Sequence, residues 1–363
     1  MQLSDMCLYP KRIQNKKFLI NKKNGGFPPV PPVFGYDEFG FPIYDERVLY
    51  VNVPCGNCIE CRKQKTRNWQ VRLHEEIKIH KYSYFITLTF SPAQLGILKR
   101  ESGLDECNAV AGKAVRRCLE RYRKDHKKSL RHWFITELGH EGTERIHLHG
   151  MIFSDHQLEF VKSDKDHFYR WKYWKYGLVY VGDYCNAKTV NYIVKYMNKI
   201  DSDHLGFVGQ IFCSPGIGRS FVTDQTMYDH RYRPNETKDF YRLNNGSKIK
   251  LPSYYKHKFL SDDERQFVWI EFMDSEVESV RGINYDMRFT SSATLGRIVG
   301  KAKEFNHELG YGSNDQEWRK KPYNVTQRML DAPALKEARD QAKLVEIDRQ
   351  IEEFYKKFEE NRK

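Results

Sequence analysis

Apolar and polar positions alternate most clearly in the middle third of the chain. YSYFITLTF (82–90) is rich in Tyr, Phe, Ile and Thr and stops at Ser91-Pro92, which predicts a strand. HWFITEL (132–138) and RIHLHGMIF (145–153) predict two more, joined by the polar loop GHEGTE, and GLVYVG (177–182) predicts a fourth. Over 110–128, Ala111, Val115, Cys118, Leu119 and Tyr122 recur at helical spacing. A short helix is expected near 156–162. NAKTVNYIVKYMNKI (186–200) predicts a helix with Val190, Ile193, Val194 and Met197 on its apolar side.

The flanks are less regular. Residues 1–45 read as loop, with Gly and Pro crowded into NKKNGGFPPVPPVFG (21–35). ERVLYVNV (46–53) predicts a strand, PCGNCIEC follows, and a basic helix is expected over 62–80. RLNNGSKIKL (242–251) has a hairpin signature at Asn245-Gly246. The last segment predicts a long helix, 331–363, where Leu344, Ile347, Ile351, Phe354 and Phe358 keep a 3,4,3,4 spacing. The expected class is α+β, an antiparallel sheet flanked by helices. The expected division is an N-terminal loop, cysteine cluster and basic helix (1–80), a core (81–230), and a C-terminal extension (231–363).

Composition adds a partner. With 61 Lys+Arg against 48 Asp+Glu, the chain carries +13, which favours a polyanion over a merely solvated basic surface. No apolar run is long enough for a membrane span, so no membrane partner is expected. MQLSDMCLYPKR lacks an apolar signal core, so a cytosolic chain with reduced or metal-bound cysteines is expected.

Two patterns carry chemistry. In a strand, residues i and i+2 share a face, so His147 and His149 point together while Leu148 points away. Two imidazoles hold a divalent cation poorly without a carboxylate. Glu137 on the preceding strand is the candidate, with His140 and Glu141 as rivals. Ordinary surface histidines are the competing interpretation. On the 186–200 helix, Tyr192, Lys195, Tyr196 and Lys199 fall on the side opposite the apolar stripe, and tyrosines at i and i+4 are neighbours. A phenol with pKa near ~10 attacks poorly at neutral pH, but a metal-polarised phosphodiester and a nearby cation would make it a nucleophile. An amphipathic helix resting its tyrosines on a core is the alternative.

Cys55, Cys58 and Cys61 form C-x₂-C-x₂-C, a spacing that wraps three thiolates round one metal. Cys7 is the candidate fourth ligand for a structural Zn²⁺, with His74 and His80 as alternatives. Free or redox thiols and an iron–sulfur site compete with zinc. Arg62, Lys63, Lys65, Arg67, Arg72 and Lys199 are candidate phosphate contacts. FYRWKYWKYG (168–177) either stacks single-stranded bases or buries its rings in the core. Gly216 and Gly218 in SPGIGRSF (214–221) read as a turn before a phosphate cradle.

Taken in order, FITLTF (85–90), HLH (147–149) preceded by Glu137, and YIVKYMNK (192–199) resemble the three blocks of the HUH endonucleases. More narrowly, the chain resembles the replication initiators of microviruses, especially the gokushovirus branch. PCGNCIECRKQKTRNWQVR and SPGIGRSF extend the likeness across roughly residues 7 to 221. The resemblance implies an antiparallel sheet related to the RNA-recognition fold. It implies nicking of single-stranded or origin DNA, a 5′-phosphotyrosine link, and rejoining after one rolling-circle round, with Tyr192 and Tyr196 alternating. His147, His149 and Glu137 would hold Mg²⁺ or Mn²⁺, and Lys195 would steady the phenolate or the phosphate. No G-x-x-x-x-G-K-[ST] run is present, so a host helicase and polymerase in the bacterial cytoplasm are expected partners. A plasmid relaxase or transposase of the same superfamily, and a non-catalytic zinc-stabilised nucleic-acid-binding protein, are the alternatives.

Overall fold

Strand alternation in the middle of the chain builds one sheet. In the computed structural model its strands lie side by side in the order Ile211–Cys213, Arg131–Leu138, Ile146–Ser154, Tyr82–Leu88, Trp174–Val181, Phe168–Trp171 and Val161–Lys162. All seven run antiparallel to their neighbours. The structure describes residues 7–311 apart from 105, 141–143, 166, 183, 199–202, 205 and 206, together with positions 341, 345 and 349. These residues form two compact units, one drawn from 1–79, 197–200 and 216–319, the other from 80–196 and 201–215. The fold is α+β.

One face of the sheet is the core. Ile86, Leu88, Ile146, Leu148 and Ile152 pack there on Leu95 and Leu98 of the helix Pro92–Ser102 and on Val110, Ala111, Ala114, Val115 and Cys118 of the helix Cys107–His126. Each buried aliphatic side chain contributes roughly 1.5–3 kcal/mol. The first helix begins where Ser91 accepts from the Gln94 N–H with Pro92 in the first turn, and it ends at left-handed Gly103. The second begins at Glu106, whose carboxylate accepts from the Asn108 and Ala109 N–H groups.

Several elements differ from expectation. No helix forms near 156–162. The Leu158 N–H is instead held extended by the Tyr84 hydroxyl at 2.9 Å, and Val161–Lys162 becomes an edge strand. The 186–200 helix is α-helical only over Ala187–Ile193 and then tightens to 3₁₀ over Val194–Met197. Residues 46–49 form a 3₁₀ turn ahead of a shorter strand, Tyr50–Val53. In FYRWKYWKYG, Trp171, Tyr173, Trp174 and Tyr176 fill the core while Arg170, Lys172 and Lys175 stay exposed. The long helix expected at 331–363 lies outside the described residues, save for Gln341, Val345 and Arg349, which are helical.

In the other unit the basic helix runs Ile59–Ile77. The hairpin at Asn245-Gly246 forms between Phe240–Arg242 and Lys248–Lys250. Glu76, fully buried, accepts the Gly218 N–H at 2.7 Å, and the Gly218 carbonyl accepts the Tyr255 hydroxyl at 2.7 Å. Gly218 sits at φ 77°, and a Cβ there would lie 2.6 Å from the Tyr255 hydroxyl oxygen. This glycine therefore serves a packed turn. No helix among the described residues is long and apolar enough to cross a membrane.

Candidate active site

Register places the first chemical group. On the sheet face opposite the core, His147 lies across from Glu137, and His149 lies between Ile135 and Thr87. Leu148, between the histidines, is buried on the other face. His149 Nε2 is 2.8 Å from a Glu137 carboxylate oxygen, and its Nδ1 is 3.0 Å from the Thr87 hydroxyl. Nε2–H then donates to the carboxylate while Nδ1 accepts from Thr87, and the ring is held at both nitrogens. His147 is packed differently. A Cβ on Gly139 would fall 2.9 Å from His147 Cε1, so this position has room only for glycine unless the ring moves. Burial, then the neighbouring His149 and Arg145, push the His147 pKa down to about 4, against the pull of Glu137. At neutral pH its imidazole is uncharged and keeps a lone pair. The two rings are 6.5 Å apart, so the trio is less tightly drawn together than the four thiols described below.

The rivals to Glu137 do not join this trio. His140 Nδ1 faces Asp203 at 3.3 Å, and Glu141 lies outside the described residues.

The tyrosine helix lies over the same face. Asn186 accepts from the Lys188 and Thr189 N–H groups while the Thr189 hydroxyl accepts from the Asn186 N–H, a capping box that fixes the helix start. Val190 and Ile193 are fully buried, which turns Tyr192 outward at 50% exposure. Its ring meets Phe85 edge-on at 5.8 Å. Tyr196 stacks on His149 with centroids 4.2 Å apart and planes within 6°. The two tyrosine hydroxyls are 2.7 Å apart. Burial, then the hydrogen bond with Tyr192, raise the Tyr196 pKa above the usual phenol range, with Glu137 adding to the rise. Lys195 is exposed between the tyrosines in sequence, and Lys199 lies outside the described residues.

Three contributors were not singled out from sequence. Thr87 and Phe85 lie within FITLTF, but their contacts with His149 and Tyr192 depend on strand pairing. Gly139 carries no local mark of its role, because the ring it admits comes from the next strand.

In the first unit, Cys7, Cys55, Cys58 and Cys61 bring their sulfurs within 4.8 Å of one another, a donor set that can hold a metal ion. Hydrogen bonding from Cys58, then from Cys61 and Cys7, drives the Cys55 thiol well below its ordinary pKa. His80 is turned to Phe153, ring to ring at 5.3 Å. The basic helix is less open than its composition suggests. Arg62 is buried over the Tyr311 ring at 4.3 Å. Arg72 lies over both Trp69 and Tyr254 at 4.2 Å and donates to the Ile217 carbonyl at 2.9 Å. These two guanidiniums are occupied within the unit. Lys63 pairs with Glu60 at 3.2 Å, Lys65 is exposed and Arg67 half-buried.

Comparison with known proteins gives two likenesses. The family model for the viral replication-associated protein ORF2 matches residues 83–201, the stretch that carries Phe85, Thr87, Glu137, both histidines and both tyrosines. The replication-associated protein ORF2 of Spiroplasma virus 4 is 26% identical over 298 residues, which is 76% of this chain and 86% of that protein. No solved structure matches.

Proposed function

We propose that the chain starts replication of a single-stranded-DNA virus genome by nicking one DNA strand through a tyrosine and later rejoining it. One observation carries this proposal. Two phenol hydroxyls 2.7 Å apart stand beside His149, on the sheet face that also bears His147 and Glu137. The likeness to viral replication-associated proteins supports the replication role and favours it over a plasmid relaxase.

The residues would divide the work as follows. His147, His149 and Glu137 offer two imidazoles and a carboxylate on adjacent strands, a donor set that fits a divalent cation. His147 is already neutral, and the Thr87 hydroxyl can turn from donor to acceptor when Nδ1 of His149 carries the proton. Mg²⁺ or Mn²⁺ held there would polarise the scissile phosphate. Tyr192, the more exposed phenol, would attack phosphorus. Its O–P bond forms, the bond from phosphorus to the 3′ oxygen breaks, the phenol proton passes to solvent, and the 3′ oxygen leaves as a hydroxyl. Lys195 would stabilise the developing phenolate or the phosphate. The phosphotyrosine bond keeps the energy of the cleaved diester, so Tyr196 can cut the regenerated origin and the first link can be resealed without ATP. Lys63, Lys65, Arg67 and Lys199 are proposed phosphate contacts.

The test uses a labelled single-stranded origin oligonucleotide. With Mg²⁺ or Mn²⁺ the full chain should give a shortened product and a covalent adduct on a denaturing gel, both lost in chelator and in His147→Ala. A band shift on a native gel with no adduct would leave only a binding protein.

A further inference from the structure

The cysteine quartet takes no part in the DNA chemistry, and its geometry is specific. Sγ of Cys7 and Cys58 are 4.0 Å apart, and those of Cys55 and Cys61 are 3.9 Å apart. Four thiolates at about 2.3 Å from a tetrahedral zinc would lie about 3.8 Å from one another. A disulfide would need about 2.05 Å, and all four cysteines are unbridged. An iron–sulfur cluster places several atoms among its thiolates and would spread them wider than this. The chain also bends as a metal-binding turn does. Gly56 takes φ 80°, and the Cys58 N–H points at Cys55 Sγ at 3.4 Å while the Cys55 N–H points at Cys7 Sγ at 3.2 Å. Such N–H groups offset thiolate charge, as does the start of the Ile59–Ile77 helix, whose N-cap is Cys58.

We infer that Cys7, Cys55, Cys58 and Cys61 bind one zinc ion as a closed structural site. The surroundings explain what the ion does. The apolar cluster beside it is small, with Leu8, Cys58, Ile59, Val280, Ala302 and Tyr311 as its buried members. Fully buried Asn306 accepts the Ile59 N–H at 2.9 Å and so joins the helix Ser292–Glu308 to the same helix start. The metal fastens residues 7–9 to a helix start some fifty positions further along the chain, in a region whose core is too small to do so alone.

The experiment measures metal in the full chain purified without chelator from zinc-supplemented medium. About one zinc per chain is expected, unchanged in the His147→Ala/His149→Ala double variant and in Cys213→Ser. Replacing zinc with Co²⁺ should give the intense visible absorption of a tetrahedral thiolate site. Cys7→Ser should weaken metal retention in chelator competition by more than about tenfold. Cys58→Ser should do the same, and if it fails to fold, the cobalt spectrum of the unsubstituted chain still decides. Folded protein without stoichiometric metal and with four reactive thiols would overturn the inference. Disulfides found by mass spectrometry, or iron in place of zinc, would overturn it equally.

Discussion

At the scale of single residues, the site depends on small groups whose importance comes from their neighbours. Gly139 is the sharpest case, because a methyl there would meet the His147 ring at 2.9 Å. Gly139→Ala should cost about 1–3 kcal/mol of stability. It should lower nicking by more than that loss explains, with circular dichroism unchanged. Activity equal to the parent would mean the His147 position is unimportant. The two tyrosines should also separate. Tyr192→Phe should remove most first-strand cleavage, whereas Tyr196→Phe should leave one cleavage and block the second transfer, read as linear product without closed circles. The pH dependence follows from His147, with a folded pKa of about 4 against an ordinary 6.5. Between those values the unfolded chain binds more protons, so stability rises with pH across that window and is flat from this group above it. Buried His132, also lowered by burial, acts in the same direction. In chelator, His147→Gln should flatten the thermal midpoint against pH between about 4 and 6.5. An unchanged slope would place the imidazole in water.

The His-x-His and Tyr-x-x-x-Tyr pairs were legible in sequence because each lies within one element, where period alone says which residues share a face. Thr87 and Gly139 were not, because their partners arrive through strand register. At the scale of elements the same division holds. Long apolar alternations predicted the central strands to within a residue or two, and the stripe around Val115 predicted the helix Cys107–His126. The supposed helix near 156–162 failed because a tertiary contact, the Tyr84 hydroxyl on the Leu158 N–H, outweighed local pattern. The tyrosine helix was found, but not its tightening after Ile193, which no periodicity announces. Its short α-helical part rests on the Asn186 cap. Asn186→Ala should destabilise the chain by about 1 kcal/mol. It should also slow adduct formation, since both phenols ride on that turn. Slower adduct formation in Lys188→Ala, which leaves the cap intact, would point instead to lost charge.

At the scale of the molecule, two metal requirements should be separable. Brief chelation followed by added Mn²⁺ should restore nicking, while zinc stays in place throughout, because one site is a loose trio and the other a closed quartet. The net charge of +13 made a polyanionic partner legible, but composition did not reveal that Arg62 and Arg72 are packed against aromatic rings. The fate of the nucleophile can be read directly, because Lys188, Lys195 and Lys199 frame the two tyrosines. Trypsin releases TVNYIVK with Tyr192 and YMNK with Tyr196 as separate peptides. After reaction with a single-stranded origin oligonucleotide and Mn²⁺, followed by nuclease and trypsin, tandem mass spectrometry should find a nucleotide phosphate on TVNYIVK in the first turnover. Both peptides unmodified, or the phosphate on a residue elsewhere in the chain, would contradict the tyrosine mechanism.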